Sequence, residues 1–154
     1  MPDDYDISTC YHEAGHAVMA LVMGRSIQKV SAVPNSLRLG AVEFKKGPAK
    51  GVDDWIEAEI LIALAGPLAE AKFMGQFDVH GAGRDLRVVR KYAEDRVGPR
   101  QVDRYERRML TKTDYLLNDD DTWAAVELIA NELFAKGMIS GRAARHLFDQ
   151  ATSK

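Results

Sequence analysis

The chain has 154 residues, the size of one domain, and 46% of them are apolar, enough to bury a core. Charged residues make up 29% and the formal net charge is −2, so no global field draws nucleic acid or an anionic membrane. The one cysteine, Cys10, excludes an internal disulfide and fits a reducing compartment.

In chain order, the start reads Met-Pro-Asp-Asp-Tyr-Asp, acidic where a secretory signal would be basic. No apolar run reaches the length of a membrane span, and the expected location is the cytoplasm. Residues 5–23 show helical spacing of apolar side chains and stop at Gly24. Two short β-like runs follow, 29–33 and 40–44, with Pro34-Asn35-Ser36 as a turn between them. Residues 45–51 read as a polar loop. Asp53 or Asp54 caps a second long helix that runs to Met74 and ends at Gly75. Pro67 lies inside it and is expected to kink it or divide it near Gly66. Gly81-Ala82-Gly83 is a tight loop before a third helix over 85–96. Further helices are expected over 101–116 and 122–136, and a short last one, capped by Ser140, to Gln150. The fold class is therefore mostly α, an α+β domain with a small two- to three-stranded sheet after the first helix. One domain over 1–154 is expected, with the chemistry in 1–97 and supporting helices in 98–154.

Residues 12–16 read His-Glu-Ala-Gly-His, the pattern H-E-x-x-H, and they fall on the first helix. Positions i and i+4 of a helix share a face, so His12 and His16 can aim both imidazoles at one point. Neutral imidazoles suit zinc, and one Zn2+ per chain is the expected cofactor. Glu13, one position on from His12, is placed to take a proton from a water that the metal activates. A catalytic zinc needs a third protein ligand and one open position. Two carboxylates compete by chemistry alone, Glu70 on the second helix and Asp85 at the start of the third. Asp85 also fits a helix cap, and Glu70 fits a carboxylate that holds a histidine. Cys10 stands two residues before His12, pointing away from it on a helix, and reads as a small apolar residue rather than a nucleophile.

Four stretches in this order resemble the peptidase domain of the FtsH family, zinc endopeptidases usually fused to an AAA+ ATPase. Residues 11–17 (Tyr-His-Glu-Ala-Gly-His-Ala) match its HEAGHA helix. Residues 29–34 and 39–44 resemble the strand, turn and strand that follow. Residues 63–70 (Ala-Leu-Ala-Gly-Pro-Leu-Ala-Glu) resemble its glycine-containing helix, and residues 81–86 (Gly-Ala-Gly-Arg-Asp-Leu) its Gly-Ala-Ser-Asn-Asp-Leu. The resemblance implies a zincin-like domain in which Asp85 is the third ligand and Glu70 lies near the metal. It covers most of 8–97 and extends loosely to the helices over 123–150. Pro67 and Arg84 depart from the pattern. No Walker A sequence G-x-x-x-x-G-K-[ST] occurs, which leaves peptide-bond hydrolysis without ATP as the expectation.

Other residues carry less. His80, before the glycine loop, is a candidate contact to substrate, although an exposed loop histidine fits it better. His146 reads as a surface or packing residue. Trp55 and Trp123 read as anchors of helix packing. Residues 84–108 hold nine Arg/Lys against five Asp/Glu, interleaved in sign, which favours a solvated helical face over a nucleic-acid surface. Residues 29–33 suggest an exposed edge strand on which Ala32 and Val33 could pair with an extended peptide. The expected activity is zinc-dependent endopeptidase action on flexible or unfolded polypeptides. The alternative is a catalytically silent, metal-bound scaffold. Besides substrate, the candidate partners are further copies of the chain or a separate ATPase.

Overall fold

The structure, a computed structural model, describes residues 6–34, 40–46, 54–78 and 82–153. Helix α1 spans Ile7–Val22, and the Asp6 carboxylate starts it by accepting from the Thr9 N–H at 2.9 Å. Strands β1 (Ile27–Ser31) and β2 (Ala41–Phe44) follow. Helix α2 spans Trp55–Met74, capped by Asp54 and ended by Gly75 in the left-handed region at φ 82°. Helices α3 (Gly83–Arg96), α4 (Val102–Leu117) and α5 (Asp120–Lys136) lead to strand β3 (Met138–Ser140) and helix α6 (Gly141–Thr152). Ser140 caps α6 through the Ala143 N–H.

The sheet order is β2-β1-β3, all antiparallel. Thus β1 is the central strand, and the expected edge role for Ala32 and Val33 is overturned. Ala32 is fully buried and its N–H is taken by the Gly137 carbonyl, while Val33 lies beyond the strand. The run over 29–33 misled because apolar alternation marks burial and does not say whether a strand has one neighbour or two. β3, only three residues long, gave no readable period.

Helix α1 packs chiefly against α2 and α5. It approaches α2 closely at Gly15, where a Cβ would lie 2.4 Å from the Ala65 carbonyl oxygen. The core joins Val18, Met19, Ile60, Leu61, Leu64, Ile129 and Leu133, all fully buried or nearly so. Helix α2 is not divided at Gly66-Pro67. Proline removes only its own N–H from the ladder, and the buried residues on both sides of it hold the helix together. Trp123 packs near Tyr11, with Lys72 above its ring, whereas Trp55 is half exposed and meets Tyr92 by an edge. His146 is exposed. The turn at 35–36, the loop from 47 on, the alternative cap Asp53, and His80 with Gly81 lie outside the described residues. Among the described residues, no helix is long and apolar enough to cross a membrane.

Candidate metal centre

Three helices meet at one point. Helix α1 carries His12 and His16 on successive turns of one face, with ring centroids 4.8 Å apart. Helix α3 begins at Gly83, two residues earlier than its sequence suggests, so Asp85 sits in its first turn. There the helix dipole favours a carboxylate. The Asp85 Oδ2 lies 2.9 Å from the His12 Nε2 and 3.3 Å from the His16 Nε2. Helix α2 supplies the outer contacts. Glu70 Oε1 is 2.7 Å from His12 Nδ1, and the Ile62 carbonyl is 2.7 Å from His16 Nδ1.

Both imidazoles are thus oriented in the same sense. Each Nδ1–H donates to an acceptor on α2, which leaves each Nε2 facing Asp85. Two ring nitrogens and a carboxylate oxygen turned to one point repel unless a cation or a proton stands among them. The three ligand atoms lie within 4.8 Å of one another. Tetrahedral zinc with ligands at about 2.0–2.2 Å draws such atoms to a separation of about 3.4 Å, which this cluster can adopt. The donor set, two nitrogens and one oxygen with cleft on the remaining side, fits a zinc ion that keeps one position open.

The electrostatics agree with that fit. Burial opposes charge on His12, but Asp85, Glu70 and Glu13 outweigh it and push its pKa up to about 10. Burial would raise the Asp85 carboxyl, yet the hydrogen bonds of His12 and His16 hold it well below the usual carboxylate range. Without metal, a proton fills the place of the cation.

Room for the His16 ring comes from Gly66. A Cβ there would fall 2.3 Å from His16 Nε2 and 2.4 Å from its Cε1. Glu13 is buried, 6% exposed, and a Cβ on Gly40 would lie 2.9 Å from its Cγ, so β2 begins against that side chain. A cleft of about 420 Å³ opens beside the cluster. Its lining includes Glu13, Glu70 and Asp85 together with Gly40, Val42 and Phe44 from β2. Ala32 and Val33 do not line it. Cys10 is fully buried, and burial together with the nearby Asp6 and Glu13 charges pushes its thiol up to about 12, which suits an inert core residue.

Two contributors escaped the sequence reading. The Ile62 carbonyl is backbone and leaves no side-chain signal. Gly66 did leave one, since a glycine inside a buried helix costs stability and marks close approach of another group.

A model of peptidase family M41 matches residues 3–100. The ATP-dependent zinc metalloprotease FtsH of Acidobacterium capsulatum is 30% identical over 114 residues, covering 64% of this chain and 17% of that protein. The protein of the same name from Rickettsia bellii is 32% identical over 113 residues, covering 64% and 18%. FtsH 2 of Methylacidiphilum infernorum is 32% identical over 103 residues, covering 63% and 16%. The chain spans less than a fifth of the length of these curated relatives. The matched stretch contains the whole cluster, from the H-E-x-x-H helix to the aspartate that closes it, and the chain belongs to peptidase family M41.

Proposed function

We propose that this chain is a zinc-dependent endopeptidase that cuts flexible or unfolded polypeptides in the cytoplasm and needs no nucleotide for the hydrolytic step. One observation carries the reading: His12, His16 and Asp85 converge while Glu13, on the same helix, borders the same cleft. His12, His16 and Asp85 would hold one Zn2+. When bound, that ion supplies Lewis-acid polarisation of the scissile carbonyl and a lowered pKa for water. Glu13 accepts the proton of the attacking water at its carboxylate and then delivers it to the leaving amine nitrogen. Glu70 and the Ile62 carbonyl hold the two imidazoles in the ligating tautomer. Among the described residues the sheet edge beside the cleft is β2, and an extended substrate segment pairing there would pass its backbone over Glu13. A separate ATPase that delivers unfolded segments is a partner in keeping with the ATP-dependent names of the relatives, and further copies of the chain are the second candidate.

The test is metal content and peptide cleavage on the purified chain and two variants. We expect about one zinc per chain, lost in Asp85→Ala. Glu13→Gln should keep the zinc and lose about 10²–10⁴-fold in kcat. Robust cleavage by Glu13→Gln would sink the mechanism. Bound zinc with no cleavage of any unfolded polypeptide would turn the reading to the scaffold.

A further inference from the structure

Among the residues that line the cleft is a pair of charges that the metal site does not use. After α1, Gly24 at φ 80° turns the chain back, and the Arg25 N–H bonds the Ala20 carbonyl at 2.8 Å. The Arg25 guanidinium then forms an ion pair with Glu59 of α2, and its carbon lies 3.9 Å from the centroid of the Phe44 ring. Both charged side chains are mostly withdrawn from water, at 19% and 21% exposure, and the Arg25 Nε is buried with no hydrogen-bond partner among the described residues. Arg25, Glu59, Val42, Phe44, Ile62 and Ala63 all line the cleft that holds the metal cluster. Glu59 stands three residues before Ile62, about 4.5 Å of helix rise from the carbonyl that orients His16. Together they form a box next to the ligand His16, with apolar walls and a floor of two mutually neutralised charges.

We propose that the Arg25–Glu59 pair sets substrate specificity: the box takes one large uncharged side chain, aromatic or long aliphatic, next to the scissile bond, and the neutralised floor excludes charged ones. This deepens, and rests on, the peptidase reading. The physical reason is the cost of bringing a charge into a dehydrated site where neither partner is free to pair with it. Removing one member reverses that situation. Arg25→Met leaves Glu59 uncompensated, and the box then draws Lys or Arg. Glu59→Gln leaves Arg25 uncompensated, and the box then draws Glu or Asp.

The experiment uses zinc-loaded protein and peptides that differ at one position beside the cleavage point, carrying Phe, Leu, Lys or Glu. Cleavage is read as kcat/KM. Binding is read by calorimetry on the same variants in a Glu13→Gln background. Wild type should favour Phe and Leu. Arg25→Met should gain at least about tenfold for Lys relative to Phe, and Glu59→Gln as much for Glu. The neutral double variant Arg25→Met/Glu59→Gln should return to the wild-type preference, and it carries the test with Glu59→Gln if Arg25→Met does not fold. Cleavage with the same preference in every variant overturns the role of the pair and leaves the peptidase reading intact, and binding with the same preference but no cleavage overturns both. Binding that shifts as stated without cleavage by wild type supports the box and overturns the peptidase reading. Peptides neither bound nor cut overturn both.

Discussion

The two histidines of the cluster sit in seats built from different materials. His12 is held by side chains, Glu70 on one nitrogen and Asp85 on the other, at 2.7 and 2.9 Å. His16 is held on its Nδ1 by a backbone carbonyl and rests against a glycine with no room for a methyl group. A seat of carboxylates is tunable, because charge and pH act on it directly. Asp85 faces the Nε2 of both rings, so the difference lies on the Nδ1 side, where a main-chain seat carries no titratable group and yields only to a change of shape. One cluster thus joins an adjustable imidazole to a rigid one.

The sharpest way to break this comparison is volume on the rigid side. Gly66→Ala should weaken zinc affinity by about 100-fold, the upper end of what losing an orienting contact costs. Alanine is the better helix former by about 1 kcal/mol, so a role in helix propensity alone would instead raise the thermal midpoint and leave zinc binding untouched. Calorimetric zinc titration beside thermal unfolding separates the two.

On the adjustable side, Glu70→Gln keeps an acceptor for His12 and removes its charge. Zinc affinity should fall by about tenfold, less than for Gly66→Ala, because the ring keeps its place while its nitrogen becomes a poorer ligand. An equal or larger loss would show that the two seats do not differ as described.

pH acts on the same carboxylate seat. In the metal-free chain His12 is raised from 6.5 to about 10, so its contribution to stability is fully present below 6.5 and is lost as pH rises through about 10. Asp85 is lowered from 3.8, so its contribution is present above 3.8 and is lost as pH falls below that value. Zinc displaces the His12 proton, so apparent affinity should rise about tenfold per pH unit between pH 7 and 9. In Glu70→Gln that rise should level off at lower pH, since one group that holds the proton has gone. A flat profile in wild type would remove the carboxylate seat from the account.

Much of the site was legible before folding because its parts are local. His16 follows His12 by four positions, and an α-helix turns that spacing into one face whatever surrounds it. Helix starts were legible for the same reason, since Asp54 and Ser140 bond N–H groups only three residues away. The choice between Glu70 and Asp85 was not local. Both are carboxylates on helices, and chemistry alone left them equal. Their separation into a residue that bonds Nδ1 and a residue that faces both Nε2 atoms follows from how α2 and α3 cross α1.

The amino-acid sequence by itself determined the helical class, the H-E-x-x-H face, the turn of Cys10 away from His12 and the family resemblance, because each rests on spacing within a few residues or on an ordered motif. Only the tertiary structure decided that β1 is central and that β2 offers the edge beside Glu13. It also decided that Ile62 lends a carbonyl to His16, and that Arg25 and Glu59, 34 residues apart, pair in the wall of the cleft. These depend on which strand faces which and on how closely two helices approach. Such distances are set by the packing of the whole core, and no local pattern carries them.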